Sequence, residues 1–131
     1  EQHIAFLKEK QVHGWVVDPQ GLPTAGWGLT LRLRDMLKIG DLCLNQGNHN
    51  GKQIVSASWI KDSTQKHAHW NEYSYGYLWW NLDRNGNGAF AALGDSGNTI
   101  YVNPKEQLVI ALACSFKPRV RSIVDVFTQF T

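Results

Sequence analysis

Residues 89–116, which read AFAALGDSGNTIYVNPKEQLVIALACSF, decide the predicted fold. Polar residues 94–98 and turn residues 103–106 divide this stretch into three apolar segments, which are 89–93, 100–102 and 108–113. Short apolar or β-branched segments bounded by Gly, Asn and Pro are typical of strands joined by hairpins. The stretch therefore predicts an antiparallel meander of three strands, with a polar cluster between strands where chemistry could be carried.

Three helices are expected around this sheet. Residues 31–46 carry apolar side chains at helical spacing, which predicts an amphipathic helix with Thr30 at its start and Gly47 at its end. A second, shorter helix is expected to follow a cap at Ser56 or Ser58. After Pro118, apolar residues again recur at helical spacing and predict a C-terminal helix packed on the sheet: Val120, Ile123, Val124, Phe127 and Phe130.

The remaining segments give weaker signals. Residues 15–25 are rich in turn formers and residues 67–72 are mostly polar, so both are expected to be loops. Residues 75–83, YGYLWWNLD, are rich in aromatic residues and predict one strand, with Tyr75, Tyr77 and Trp79 on one face. The whole pattern predicts an α+β fold, with an antiparallel sheet of three or more strands, a C-terminal helix packed on it and two helices upstream.

Composition restricts the class of protein. The chain has 131 residues, 43% of them hydrophobic and 18% charged, which is typical of a globular protein, and residues 1–131 are expected to form a single domain or a domain fragment. The net charge of +2 comes without a basic run, so no nucleic-acid partner is expected. No apolar stretch reaches the roughly 20 residues of a membrane helix, so no transmembrane segment is expected. Without an initiator Met or a signal pattern, the chain is expected to be a piece of something longer.

Four segments, taken in order, carry a family resemblance. They are 25–36 (AGWGLTLRLRDM), 50–56 (NGKQIVS, with Trp59 after it), 75–80 (YGYLWW) and 94–104 (GDSGNTIYVNP). Their order and spacing resemble the C-terminal third of the serine β-lactamase and penicillin-binding-protein superfamily, in its class C-like esterase branch. The resemblance implies a partial β-lactamase/transpeptidase-like fold, acyl transfer to a serine on a small-molecule or peptidyl substrate, no cofactor and an extracytoplasmic location.

The nucleophile of that superfamily lies in a Ser-x-x-Lys motif. Two segments fit this spacing, one starting at Ser58 and ending at Lys61, the other starting at Ser63 and ending at Lys66. Both lie in the stretch that the resemblance assigns to a helix and loop downstream of the nucleophile, so both are expected to be surface residues. No catalytic residue is therefore assigned within this chain, and the chain alone is expected to be inactive.

The third motif of the superfamily is Lys or His, then Thr, Ser or Gly, then Gly. The resemblance aligns Asp95, Ser96 and Gly97 with these positions, and Asp95 inverts the charge, which argues against binding of an acidic substrate group. The backbone N–H of Asn98 matches the strand-borne oxyanion donor. A plain turn is the alternative for these four residues, because their composition is favoured in turns, and the sequence leaves the two open.

Other candidate sites have simpler explanations. Residues 83–88 fit half of a calcium-binding loop but Gly94 stands where its last Glu belongs, so a hairpin turn is expected. His67 and His69 lack a third ligand, and no metal site is predicted. Cys43 and Cys114 could be bridged or free, and burial as small apolar side chains is expected for both.

Two further hypotheses remain, together with one consequence. Six Trp residues would suit a non-catalytic module that binds a carbohydrate or a peptide, and three exposed Trp or Tyr rings on one face would favour it. The second hypothesis is a degenerate superfamily member that binds acyl or peptidyl ligands without turnover. Asp95 is the residue that would distinguish it. If strands are missing from the sheet, its exposed edge is expected to cause self-association.

Overall fold

The computed structural model describes residues 14–71, 73–83, 85–94 and 97–114. The first half of the chain contains two short hairpins and two helices: β1 (Gly14–Trp15), β2 (Leu29–Thr30), α1 (Leu33–Leu44), β3 (Asn48–His49), β4 (Lys52–Gln53) and α2 (Ala57–Ser63). The second half is β5 (Ala68–Trp70), β6 (Tyr73–Tyr75), β7 (Trp80–Asn81), β8 (Phe90–Leu93), β9 (Thr99–Asn103) and β10 (Leu108–Leu112). The expected C-terminal helix lies outside the described residues.

Strands β5 to β10 form one antiparallel sheet in which each strand pairs with the next along the chain. The meander predicted from residues 89–116 is its β8–β9–β10 half, where Ala91 pairs with Tyr101 and Tyr101 pairs with Ile110. The α+β class and the antiparallel sheet are thus confirmed. Within the described residues, β5 and β10 are the two edges of this sheet.

The prediction of one strand over residues 75–83 is wrong. The chain turns after β6 and returns as β7, with Gly76 donating its N–H to the Trp79 carbonyl at 2.8 Å. A Cβ at Gly76 would overlap the backbone oxygen of Ser63, so only glycine lets the turn sit against the end of α2. Leu78 completes the turn with φ of 65°. The loop expected over residues 67–72 is also wrong in part, because β5 lies there and pairs with β6.

Both upstream helices are present, with shorter bounds than predicted. Helix α1 starts after Arg32 rather than Thr30, and no side chain caps it. At its end, Gly47 donates its N–H to the Leu42 carbonyl at 2.7 Å and Gln46 to the Cys43 carbonyl at 3.1 Å. This pair of bonds is a Schellman motif, and Gln46, not Gly47, takes its left-handed position with φ of 53°. The predicted cap of α2 is confirmed: the Ser56 hydroxyl accepts a bond from the Trp59 N–H.

The sheet has an apolar cluster on each face. Helix α1 packs on β9 and β10, and the cluster beneath it consists of Cys43, Ile60, Phe90, Ile100 and Val102. The opposite face carries Leu82, Ala89, Ala91 and Tyr101. Among the described residues, no helix has the length and hydrophobicity to cross a membrane.

The two cysteines are free rather than bridged. Cys43 is buried in α1, as expected, and this burial raises the pKa of its thiol from 9.0 to about 12. Cys114, just after β10, is only half-buried, so the expectation of full burial is wrong there. The difference follows from their positions, because Cys43 faces the sheet while Cys114 lies beyond the end of a strand.

Candidate active site

The turn between β8 and β9 contains the positions assigned to the third motif. Gly94 donates its N–H to the Asn98 carbonyl at 2.8 Å, and Gly97 donates to the Gly94 carbonyl at 2.9 Å. Gly97 is buried and has φ of 84°, a conformation that favours glycine. Asp95 and Ser96, the other two predicted site residues, lie outside the described residues. Gly97 and Asn98 form a tight turn beside a strand. This geometry fits both hypotheses for these residues, the third motif and the plain turn.

Asn98 connects this turn to the end of β10. Its Oδ1 accepts a bond from the Cys114 N–H at 3.2 Å, across 16 residues of sequence. Its backbone carbonyl accepts a hydrogen bond from the Gly94 N–H. Its own N–H has no acceptor among the described residues. Asn98 is exposed as a residue, and its carbonyl and its side chain each make one hydrogen bond. A fixed backbone donor of this kind is what stabilisation of an oxyanion requires.

A second exposed feature lies at the same end of the sheet. Because β7 begins at Trp80 opposite Ala91 in β8, the turn that precedes β7 and the turn that follows β8 emerge side by side. In the turn before β7, Tyr77 stacks on Trp59 of α2, with ring centroids 5.7 Å apart and planes 17° apart. The His67 ring also stacks on Tyr77, with ring centroids 4.2 Å apart and planes 12° apart. We call Trp59, Tyr77 and His67 the aromatic stack.

Sequence reasoning missed this stack. The sequence pattern places Tyr77 on a strand face with Tyr75 and Trp79, and nothing in the spacing of residues 59, 67 and 77 predicts that they meet. The one available signal was Gly76, whose small size permits the turn. The other prominent aromatic group, around Trp80, includes the exposed ring of Trp70 at a centroid distance of 6.1 Å.

Neither Ser-x-x-Lys segment has the features of a nucleophile. The Ser58 hydroxyl is exposed and donates to the Ser56 hydroxyl at 3.2 Å. Ser63 is 3% exposed and donates to the Ile60 carbonyl at 3.1 Å. The expectation that both are surface residues is therefore wrong for Ser63, which faces the sheet at the end of α2. A buried hydroxyl bonded to its own helix is not available to attack a substrate.

Several of the possible metal ligands have other partners, whereas Asp83 Oδ1 is buried without a hydrogen-bond partner among the described residues. Asn87 accepts a bond from the Ala89 N–H at 3.0 Å, in agreement with a turn between β7 and β8. The two histidines have separate partners: the His67 ring donates to the Asp62 carbonyl at 2.8 Å, and the His69 ring contacts the Ser74 hydroxyl at 3.2 Å. Within the described ranges, no three His, Cys, Asp or Glu side chains are grouped to hold a metal ion.

Among the comparisons with known proteins, solved structures give informative similarities. No protein-family model and no curated protein matches the chain. A solved structure of a "putative 6-aminohexanoate-dimer hydrolase" from Bacillus anthracis is similar to it, with 33% sequence identity and a TM-score of 0.70. The similarity covers 88% of this chain but only 31% of that one, so the chain spans about a third of its neighbour's length. This supports the β-lactamase-like superfamily, and the chain has the fold of a portion of such a hydrolase.

Proposed function

We propose that this chain is the C-terminal portion of a serine hydrolase of the class C-like, esterase branch, which transfers an acyl group from an ester, an amide or a β-lactam to a serine and then to water. The observation that carries the proposal is the similarity over 88% of the chain to a hydrolase structure three times as long. Residues 1–131 then form a domain fragment rather than a self-sufficient domain. The location proposed for the whole protein is extracytoplasmic.

In this proposal the chain supplies a wall of the active site and one oxyanion donor. A serine from the upstream region attacks the substrate carbonyl, and negative charge develops on the carbonyl oxygen. The N–H of Asn98 donates to that oxygen, with a second donor supplied outside this chain. Asn98 is suited to this role because its carbonyl and its side chain are already bonded, to Gly94 and Cys114, and need not move.

The sequence of the third motif directs the choice of substrate. A carboxylate at Asp95 would repel an acidic group on the substrate. Uncharged small-molecule esters and amides are therefore the proposed substrates, ahead of acidic β-lactams and peptidyl carboxylates. The similar structure is named as a 6-aminohexanoate-dimer hydrolase, which agrees with an amide as one substrate class.

The test compares the 131-residue chain with the complete open reading frame that contains it. Both are assayed with nitrocefin, with p-nitrophenyl acetate and with the cyclic dimer of 6-aminohexanoate, an amide without a charged end. We expect turnover of the ester or the amide by the complete protein and none by the chain. Turnover by the chain that disappears on Ser58→Ala or Ser63→Ala would contradict the proposal, and so would an inactive complete protein.

A pair of variants in the complete protein tests the donor directly. Asn98→Pro removes the backbone N–H, and we expect kcat to fall about 100- to 1,000-fold, as for loss of one oxyanion donor. Asn98→Ala keeps the N–H and removes only the side-chain bond to Cys114, so its expected loss is smaller, below about tenfold. Equal losses in the two variants would show that the N–H is not the donor.

The alternative is a non-catalytic carbohydrate- or peptide-binding module. Its criterion was three exposed Trp or Tyr rings on one face. The aromatic stack contains two such rings, Trp59 at 51% exposure and Tyr77 at 46%, and the third ring is a histidine. The stack is therefore better explained as a binding surface of the proposed hydrolase than as the whole function of the chain.

A further inference from the structure

The chain contains three Asn-Gly pairs, at residues 50–51, 85–86 and 87–88. In such a pair the backbone nitrogen of the glycine can attack the amide carbon of the asparagine side chain, which begins spontaneous deamidation. Glycine favours this attack because it has no side chain to block the approach. The two reacting groups must leave their present contacts, so hydrogen bonds and burial determine which pair reacts first.

Burial and a hydrogen bond protect the pair at 87–88. Asn87 is 6% exposed, and its Oδ1 accepts a bond from the Ala89 N–H at 3.0 Å. Its amide group must give up this bond before it can turn toward the nitrogen of Gly88. Burial also limits the access of hydroxide and water, which the reaction requires. Asn87 is therefore expected to react slowly in the folded chain.

The pair at 50–51 is exposed, but its backbone is fixed. Asn50 and Gly51 form the two-residue turn between β3 and β4, with φ of 50° and 80°. The two strands pair directly on either side of this turn. The Gly51 N–H donates to Asn48 Oδ1 at 3.0 Å. Ring closure would have to break this bond and rotate Asn50 out of the left-handed conformation that such a hairpin turn needs.

The pair at 85–86 has neither form of protection. Asn85 is exposed in the turn between β7 and β8. Among the described residues, neither its side-chain amide nor the Gly86 N–H has a hydrogen-bond partner. The Leu82 N–H donates to the Ala89 carbonyl at 2.8 Å at the base of this turn. Asn85 and Gly86 lie beyond that bond, so their reacting groups can meet while it and the strand pairing stay intact.

We propose that Asn85 is the preferred deamidation site of this chain and that the products are aspartate and isoaspartate at position 85. The Gly86 nitrogen gives its proton to hydroxide and bonds to Asn85 Cγ. The Cγ–Nδ2 bond breaks, and ammonia leaves with a proton taken from water. Water then opens the resulting succinimide ring, at the side-chain carbonyl to give aspartate or at the main-chain carbonyl to give isoaspartate. In sum, one water is consumed and one ammonia is released.

The Asn85 site is separate from the candidate active site. The β7–β8 turn and the β8–β9 turn lie at opposite ends of β8, because this strand connects them in an antiparallel sheet. Asn85 and Asn98 are therefore placed at opposite ends of the sheet. Deamidation adds one negative charge away from the proposed oxyanion donor, and it does not depend on the proposed function.

The experiment follows the 131-residue chain in mildly alkaline buffer, with deamidation at each asparagine quantified by fragmentation mass spectrometry of tryptic peptides. We expect Asn85 to react at least about tenfold faster than Asn50 or Asn87, which corresponds to about 1.4 kcal/mol in activation free energy. The same chain unfolded in urea is the control, because its hydrogen bonds and its burial are lost. There the three rates should fall within about threefold of one another.

Two matched variants test the attacking group. An added Cβ meets nothing within 4 Å at Gly86 or at Gly51, and both have positive φ, so alanine strains both turns alike. Gly86→Ala hinders the attack on Asn85, and the rate there should fall at least about tenfold. Gly51→Ala should leave the rate at Asn85 within about twofold. Far-UV circular dichroism checks that both variants fold.

Several results would overturn the proposal. Rates in the folded chain that are equal at the three pairs, or fastest at Asn50 or Asn87, would do so. An advantage of Asn85 that persists unchanged in urea would assign it to the neighbouring residues in sequence rather than to the fold. An unchanged rate at Asn85 in folded Gly86→Ala would show that the glycine nitrogen is not the attacking group.

Discussion

Asn98 makes one hydrogen bond through its side chain and one through its backbone carbonyl, and both hold the β8–β9 turn. Its Oδ1 fastens the β8–β9 turn to the chain after β10, and its carbonyl closes the turn on Gly94. These two bonds hold Asn98, and with it the backbone N–H, in place before a substrate binds. At the scale of single residues, the proposed donor depends on a contact between positions 98 and 114.

We expect Asn98→Ala to free the backbone of Cys114, because the acceptor of its N–H is removed. The loss of one such hydrogen bond is worth about 1 kcal/mol, so amide exchange at Cys114 should become about fivefold faster. Asn98→Asp keeps an oxygen at the same place and should retain the slow exchange. Unchanged exchange in Asn98→Ala would show that this hydrogen bond is not formed in solution. Hydrogen exchange followed by NMR is the measurement.

Cys43 makes stability depend on pH on the alkaline side. In the folded chain its pKa is about 12, because burial disfavours the thiolate, whereas the unfolded thiol ionises near 9.0. The folded state therefore holds its proton more tightly. The associated stability is complete below pH 9 and is lost as the pH rises from there toward 12.

We expect the free energy of unfolding, measured by urea denaturation, to be lower at about pH 10 than at about pH 8. In Cys43→Ala this decrease should be smaller, even though the variant is less stable at both values because a cavity is left. Cys114→Ala, which removes the other free thiol, should keep the decrease of the parent chain. An equal decrease in all three chains would assign the pH dependence to other groups.

At the scale of elements, the contact between α1 and the sheet depends on one small residue. Gly40 lies in the middle of α1, and a Cβ there would overlap the Val109 side chain of β10 and lie 3.0 Å from Ile100 Cγ2 of β9. The glycine lets the helix approach both strands closely. This proximity buries Cys43 and Ile100 in the same cluster.

Two opposing effects decide the outcome of Gly40→Ala. Alanine favours a helix over glycine by about 1 kcal/mol. Overpacking a core position costs about 1–3 kcal/mol, and here both contacted side chains belong to a sheet that cannot easily move. We expect a net loss of stability, visible as a lower urea midpoint. Gly14→Ala, where an added Cβ meets nothing within 4 Å, should change the midpoint little. A more stable Gly40→Ala chain would contradict the packing described.

At the scale of the whole molecule, the edge strand β10 is the main feature. It runs Leu108–Leu112 without a charged residue or a proline, and within the described residues it pairs with β9 alone. Long apolar edges of this kind tend to pair with another strand. In the proposed complete hydrolase, an upstream strand would occupy this edge.

We therefore propose that the 131-residue chain self-associates through β10, with sedimentation velocity showing a larger mean mass as concentration rises. Leu108→Lys places a charge at the start of β10 and is expected to shift the chain toward the monomer. Leu22→Lys makes the same change at a 64% exposed position of the β1–β2 hairpin and should leave association as it is. A strictly monomeric parent chain would contradict the proposal.

The features that the sequence predicts correctly are those that depend on local contacts. The β8–β9–β10 meander follows from apolar segments separated by turn residues, and the Asn103 side chain accepts a bond from the Glu106 N–H in the predicted turn. The helical period of α1 and the Ser56 cap of α2 are equally local. In each case, residues within a few positions of one another satisfy the backbone or form the apolar face.

The break in the strand around residues 75–83, the burial of Ser63 and the stacking of the rings all depend on tertiary contacts. The break depends on Gly76 lying against Ser63, and the stack depends on Tyr77 meeting Trp59 and His67. The position of Asn98 likewise depends on Cys114. These contacts join residues 10 to 18 positions apart on different elements. Close packing among elements selects them, and short-range periodicity contains no signal of which elements will meet.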